Sequence, residues 1–352
     1  MAGKAENVQP HDDYGFFGPD SVSWKVWSYP TSLTVGFQRA VVVEELDPAL
    51  VASVDETRAI RDRPRTRYDR TLRYFAMVVF AGSREMTKAA DILVKVHSKG
   101  IGIEPLSGEP YDANDPKSQL WIHLTAWHSI LYTYEKFGPG KLSEAEETRY
   151  WRECAIAAEF QTCDVADIPR DRAGVREYFE YMRPRLVGSD VARSTMDHLL
   201  HAEVMLPPTP ALFRPVTVLI GRALRIATIA TMPQWMREMS GLRQGRLLDR
   251  LITPVMKIAF RLPQFNRRVK LALLKRLSPA TVPVVAPVLL GIPPSKPITF
   301  TPAEARELYG YPKPAEAHLE WRAKQHAKVF EGKQKPSDAG LIESEPILGS
   351  IA

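Results

Sequence analysis

The chain has 352 residues, 45% hydrophobic and 25% charged, which is an ordinary globular composition with enough length for a sizeable core. Its two cysteines, Cys154 and Cys163, suggest neither a disulfide framework nor a metal site, so we expect a reducing, cytoplasmic setting. The polar first ten residues are not typical of a signal peptide, and the longest apolar stretch, 280–292, is too short to span a bilayer. We therefore expect neither a secreted nor a membrane-spanning protein.

The positive charge of the chain is local. Residues 250–303 contain nine Lys or Arg and no Asp or Glu, whereas the rest has 38 basic and 41 acidic residues. This pattern favours one surface that contacts an anionic partner, and it argues against a protein that coats nucleic acid.

Helical periodicity begins at residue 31 and continues through most of the chain, with apolar residues at three- and four-residue spacing and little strict alternation. It predicts a single, mainly α domain over 13–331, a flexible tail at 1–12 and a disordered tail at 332–352. Neither GxGxxG nor GxxxxGK[ST] occurs, which argues against a nucleotide-binding α/β domain. The predicted helices cover residues 31–46, 65–81, 84–98, 116–137, 144–160, 171–183, 190–203, 211–231, 243–276 in pieces, 302–309 and 315–331.

Three of these helices have clear start signals. Asp115 followed by Pro116 predicts an N-cap with proline at the first helical position. Ser143 with Glu146, and Thr301 with Glu304, each have the spacing of a capping box.

The histidines provide the first candidate site. Eight histidines occur, without an HExxH motif or a Cys/His cluster, so a zinc site is not indicated. His97 ends an apolar helix face that contains Met86, Ala90 and Leu93, and His123 lies on a second apolar face. Each could be a core histidine with satisfied hydrogen bonds. The alternative is an axial ligand, because a buried haem iron is commonly held by one imidazole on an apolar helix.

The preceding helix contains a second candidate pair. Arg67 and Thr71 lie four residues apart and share a face with Phe75. A guanidinium and a hydroxyl beside an apolar wall could bind a propionate. The same pattern also fits a solvated, arginine-rich face with a threonine against the core.

Several motifs occur in an order that resembles the mpaB-type oxygenase and rubber oxygenase family, over residues 13–280. They are GPDSVSWKVW (18–27), the Arg67/Thr71 pair, VHSKGIG (96–102), YDANDP (111–116), LWIH (120–123), LSEAEETRYWRE (142–153) and MPQWMREMSGL (232–242). The resemblance implies an all-α protein that binds haem b and uses its iron to activate dioxygen.

The resemblance also assigns roles to residues. It implies that His97 is the axial iron ligand and that Arg67 and Thr71 lie near the haem, where they bind it and take part in catalysis. It also implies that His123 is a catalytic residue in or next to the pocket. The expected haem pocket is completed by apolar side chains: Phe75, Leu93 and Trp127. Related rubber oxygenases have an acidic base upstream of the Arg/Thr pair, and Glu45 and Glu56 are the candidates here.

The chain departs from the family pattern at two places, which leaves the substrate open. VVVEELDP (41–48) stands where a glutamine and a His-Pro often occur, and Gly100 replaces a common valine.

We thus expect a haem b-dependent oxygenase acting with dioxygen on a hydrophobic substrate, with an electron donor where the reaction needs one. The alternative is a non-catalytic protein that binds haem or an apolar ligand. The basic, apolar segment 256–277 could contact an anionic membrane, or it could be a solvated helix face or an oligomer contact.

Overall fold

The computed structural model describes residues 8–201 and 205–332, and the predicted mainly α fold is confirmed. Strands β1 (Ile101–Ile103) and β2 (Pro110–Asp112) form a small antiparallel sheet with Ile101 opposite Asp112. The α-helices of the described residues are α1 (Val22–Trp27), α2 (Phe37–Glu44), α3 (Pro48–Thr57), α4 (Ala59–Asp62), α5 (Pro64–Phe80), α6 (Ser83–His97), α7 (Pro116–Phe137), α8 (Glu144–Ala158), α9 (Arg172–Met182), α10 (Asp190–Leu199), α11 (Arg214–Thr231), α12 (Gln234–Met239), α13 (Arg246–Gln264), α14 (Arg267–Leu277), α15 (Val282–Leu290), α16 (Pro302–Tyr309) and α17 (Pro314–His326).

The three predicted helix starts are confirmed. Asp115 accepts hydrogen bonds from the backbone N–H groups of Lys117 and Ser118 at the start of α7. Ser143 and Thr301 each form a complete capping box at the starts of α8 and α16. These caps satisfy backbone donors that the first turn of a helix leaves unpaired.

Helix α7 forms the centre of the core and packs against α2, α1, α8 and α13. Fifteen of its 22 residues are buried, so most of its circumference faces protein. Around its middle, the ring of Trp127 contacts the rings of Trp27 and Tyr150 at centroid distances of 5.4 and 5.1 Å. Burial of such large aromatic side chains provides much of the hydrophobic free energy of a core.

Helix α5 lies between two parts of the molecule. Side chains four residues apart share a face of a helix. Arg67 and Thr71 therefore lie on one face of α5. Leu72, Ala76 and Phe80 lie on the opposite face. The second face packs toward α15. The two faces of α5 therefore border different parts of the molecule.

Several elements were not predicted from the sequence. The predicted set lacks the small sheet and the helices α1, α3, α4, α12 and α15. Helix α15 contains Pro287 and occupies the apolar stretch that the sequence leaves unassigned. None of the described helices combines the length and apolar character that crossing a membrane requires.

The two ends of the chain fall partly outside the described residues. Of the predicted tails, residues 1–7 and 333–352 lie outside them. Within the described part, the backbone carbonyls of His11 and Asp12 accept hydrogen bonds from Ser295 and Lys296, at 2.9 and 2.8 Å.

Candidate functional site

The apolar face of α6 changes character along its length. Met86 and Ala90 are 0% and 2% exposed, whereas Leu93 and His97, the next positions on that face, are partly exposed. This face of α6 is therefore closed at its start and partly accessible to solvent at Leu93 and His97.

The imidazole of His97 is neutral and has one ring nitrogen available. Burial, together with the nearby charge of Arg67, lowers the pKa of His97 to about 3. The Gln119 amide nitrogen lies 3.5 Å from Nδ1 and donates to the Ala113 carbonyl at 2.7 Å. Within residues 8–201 and 205–332, no hydrogen-bond partner is found for Nε2. A neutral imidazole binds a metal through its unprotonated nitrogen, so Nε2 binds one in the tautomer that has the proton on Nδ1.

The charge of Arg67 affects the pKa values of three groups in this region. Its charge acts on His97, and it also acts on two carboxyl groups, those of Glu44 and Glu45. One turn further along α5, the Thr71 hydroxyl donates to the Arg67 carbonyl at 2.9 Å. Arg67 and Thr71 are both partly exposed, and of the two it is Arg67 whose charge acts on the predicted histidine.

The end of α2 adds two acids to the site. Burial raises the pKa of Glu44 to about 8, although Arg67 opposes the shift. Glu45 is 0% exposed, and neither of its carboxyl oxygens has a hydrogen-bond partner in the described residues. Burial first and Glu44 second raise the pKa of Glu45 well above its usual value. Of the two acids that the sequence offers, Glu45 is thus buried near Arg67, whereas Glu56 is exposed.

His123 is hydrogen-bonded on both sides of its ring. Nε2 lies 2.8 Å from the Cys154 carbonyl, and Nδ1 lies 3.3 Å from the Gln161 amide nitrogen. These contacts assign the Nε2–H tautomer, with Nδ1 as the acceptor. Burial lowers the pKa of His123 to about 4, so the ring is neutral. It lies one turn along α7 from Gln119, next to the region of His97.

The predicted apolar residues separate into two groups. Leu93 lies beside His97 on the partly open face of α6. Phe75 and Trp127 are 6% and 0% exposed and belong to the aromatic core, where the ring of each contacts Trp27. The structure thus places Phe75 and Trp127 in the aromatic core and not on the partly exposed face of α6.

No group of three or more His, Cys, Asp or Glu residues in the described part of the chain could hold a metal ion. A macrocyclic cofactor needs less from the protein, because the porphyrin supplies four of the iron ligands and a single imidazole can supply the fifth. One free imidazole therefore fits this kind of metal centre.

The family described as ER-bound oxygenase mpaB/B′/rubber oxygenase, catalytic domain, matches residues 24–262, which is more than half of the chain. The chain belongs to this family. Comparisons with curated proteins and with solved structures find no match. The matched range includes most of α1, all of α2 to α12 and most of α13, and it contains every site residue described above.

Membership makes the chain an oxygenase-type protein, which implies dioxygen and an organic substrate.

Sequence reasoning missed Glu44 and the contact between Gln119 and His97. The available signals were the second acid beside Glu45 and the position of Gln119 one helical turn before His123.

Proposed function

We propose that the protein is a haem b-dependent oxygenase that acts with dioxygen on a hydrophobic organic substrate. The observation that carries this proposal is the neutral, partly accessible imidazole of His97 at the open end of an apolar helix face. The catalytic domain to which the chain belongs supports the reaction class.

The residues around His97 fit a haem. Nε2 of His97 is available to the iron, and Arg67 provides a cation for a propionate at the edge of the macrocycle. The unpaired oxygens of Glu45 support a functional pocket, because a buried carboxyl without partners lowers stability and is most often kept for a chemical role.

Haem would supply the redox chemistry of dioxygen activation, and the chain would hold and shield it. His97 would bind the iron, and Arg67 with Thr71 would position the macrocycle and contact the reacting groups. Leu93 would shield it directly, with Phe75 and Trp127 forming the wall behind. His123, whose ring nitrogens are engaged by Cys154 and Gln161, would support the pocket from the adjacent turn of α7.

Glu45 is the residue that we propose to move a proton. Burial raises its pKa and so favours the protonated carboxyl, which can donate a proton and then accept one. Arg67 would stabilise the carboxylate that forms. Glu44, with a pKa of about 8, would exchange protons with Glu45 from the same helix end.

The test is the absorption spectrum of protein expressed with a haem precursor, oxidised and reduced. We expect a Soret band that His97→Ala removes or shifts and that His201→Ala, at an exposed histidine, leaves unchanged. Haem binding by His97→Ala with an unchanged spectrum and stoichiometry would rule out the axial role of His97.

The competing function is a non-catalytic protein that binds haem or an apolar ligand. The two are separated by oxygen uptake that depends on both a hydrophobic substrate and a reductant. An oxygenase consumes oxygen under these conditions in the wild type, and Glu45→Gln slows it. A binding protein gives no uptake with any substrate.

We also propose the cytoplasm as the compartment and a peripheral contact with anionic membranes through residues 256–277. Both cysteines are free, which fits a reducing compartment.

On α13, Ile258 and Leu262 are 64% and 69% exposed beside Lys257 and Arg261. Such a helix face binds bilayers through apolar burial and attraction to anionic lipids. Flotation with anionic vesicles should weaken as salt rises, and equal flotation with neutral vesicles would exclude the charge contribution.

A further inference from the structure

A cavity of about 510 Å³ lies on the side of α5 away from Arg67 and Thr71. Its floor includes Leu72 and Ala76 of α5, and its sides are formed by α11, α13, α14 and α15. Because Leu72 and Ala76 lie on the opposite face of α5 from Arg67, this cavity is separate from the candidate haem site.

The lining of this cavity is almost wholly apolar, but its charged groups have one sign. Lys270 and Arg276 of α14 line it, and no Asp or Glu of the described residues does. Each cation donates a hydrogen bond to a neutral acceptor. Lys270 Nζ lies 3.4 Å from the Gln264 side-chain oxygen, and Arg276 Nη2 lies 3.2 Å from the Pro208 carbonyl. Within residues 8–201 and 205–332, no carboxylate pairs with either cation.

The cavity is continuous with an apolar outer surface. Ile220 of α11, Val255 of α13 and Leu273 of α14 line the cavity and are 46%, 55% and 37% exposed. An apolar molecule that reaches this surface can thus enter between the three helices without crossing a polar rim.

We propose that this cavity binds one long-chain fatty acid, with its hydrocarbon tail along α5 and its carboxylate at Lys270 and Arg276. The volume lies in the range of single-ligand sites, about 300–1,000 Å³, which are mainly apolar with a few polar groups that fix orientation. Charge complementarity selects an anionic head group, because two cations line the cavity and no acid of the described part of the chain does. A cavity of about 510 Å³ suits one hydrocarbon tail, whereas a phospholipid would need to place a second chain.

Ligand binding in this cavity can be measured without haem, because Trp27 lines the cavity and its fluorescence responds to a bound quencher. Brominated stearate in the cavity should quench tryptophan fluorescence of the purified full-length protein, saturate at one equivalent and be displaced by unbrominated oleate. Below micelle-forming concentrations, oleyl alcohol should compete less well than oleate because it lacks the negative charge.

Two kinds of variant test the location. Ala259 is an exposed residue that lines the cavity, so Ala259→Phe should fill the entrance and weaken oleate binding by about tenfold or more without disturbing the core. Ala317→Phe, at a partly exposed alanine of α17, is the matched control and should bind as the wild type does. Lys270→Gln combined with Arg276→Gln should weaken oleate by about tenfold and leave oleyl alcohol unchanged.

Three results would overturn the proposal. One is the absence of saturable quenching, and another is equal oleate binding by the Ala259→Phe and Ala317→Phe variants, which would mean adsorption at the surface. The third is displacement by a two-chain anionic phospholipid at lower concentration than by oleate, which would make a membrane lipid the occupant. In each variant, an unchanged thermal unfolding midpoint shows that a loss of binding is not a loss of fold.

Discussion

Replacement of Glu44 by glutamine should stabilise the protein by an amount that grows with pH. Glu44 has a folded-state pKa of about 8, raised by burial from its unfolded value of 4.5. A carboxyl group whose pKa is raised on folding contributes most to stability below its unfolded pKa, and this contribution is lost as pH rises through the folded pKa. The relevant window is therefore pH 4.5 to 8.

The magnitude follows from these two pKa values. Linkage gives a cost of about 1.4 kcal/mol at pH 5.5 and about 4 kcal/mol at pH 7.5 for keeping Glu44 in the folded protein. Glutamine has nearly the same shape and does not titrate, so Glu44→Gln removes this cost. Partial exposure of Glu44 lets water screen the carboxylate, and we expect a measured gain of about 2 to 4 kcal/mol at pH 7.5.

The assay is urea unfolding of wild type and Glu44→Gln at pH 5.5, 6.5 and 7.5, with exposed Glu56→Gln as the control. The difference between wild type and Glu44→Gln should widen by roughly 1 to 2.5 kcal/mol from pH 5.5 to pH 7.5. The control difference should stay constant. A pH-independent difference for Glu44→Gln would refute the reasoning, because it would mean that the carboxyl titrates alike in both states.

Three further predictions concern other parts of the molecule. His123 has a folded-state pKa of about 4, so the stability it provides is present above pH 6.5 and lost as pH falls toward 4; the stability of wild type relative to His123→Gln should fall by about 2 kcal/mol between pH 7 and 5 in urea unfolding. Asp115→Ala removes the cap of α7 and should cost about 1 kcal/mol in the same assay. Gly15 has φ +66° and a Cβ there would lie 2.1 Å from the Ala81 carbonyl oxygen, so Gly15→Ala should lower the unfolding free energy by about 3 kcal/mol, against about 1 kcal/mol for Gly108→Ala, whose φ is +75° in open space.

Local signals in the sequence predicted much of this fold. The bounds of α5, α6 and α7 follow from apolar periodicity and caps to within one residue of the predicted ranges. The small sheet was missed because three-residue strands carry too little pattern. Helix α15 was missed because its prolines argue against a helix, although Pro283 lies in the first turn, where its missing N–H costs nothing.

The site was predicted less completely than the fold. The family resemblance implied roles for both Arg67 and His97, and the charge of Arg67 acts on His97 from the neighbouring helix. The isolation of the Glu45 carboxyl could not be predicted, since it depends on which groups are absent around its oxygens after folding. The hydrogen bonds of His123 likewise come from Cys154 and Gln161, which are 31 and 38 residues away in sequence.

Burial shifts the pKa of three ionisable groups of the site toward the uncharged form. It lowers the pKa of His97 to about 3, raises that of Glu44 to about 8 and raises that of Glu45, while the charge of Arg67 opposes the two carboxyl shifts. Apolar residues of similar size would give a more stable protein at these positions. A neutral imidazole and neutral carboxyl groups beside one cation are useful where a metal needs a nitrogen ligand and a reaction needs a proton donor that can recharge. The loss of stability at these positions is therefore what we expect for a site selected for chemistry, and Glu44→Gln should gain stability while it lowers turnover.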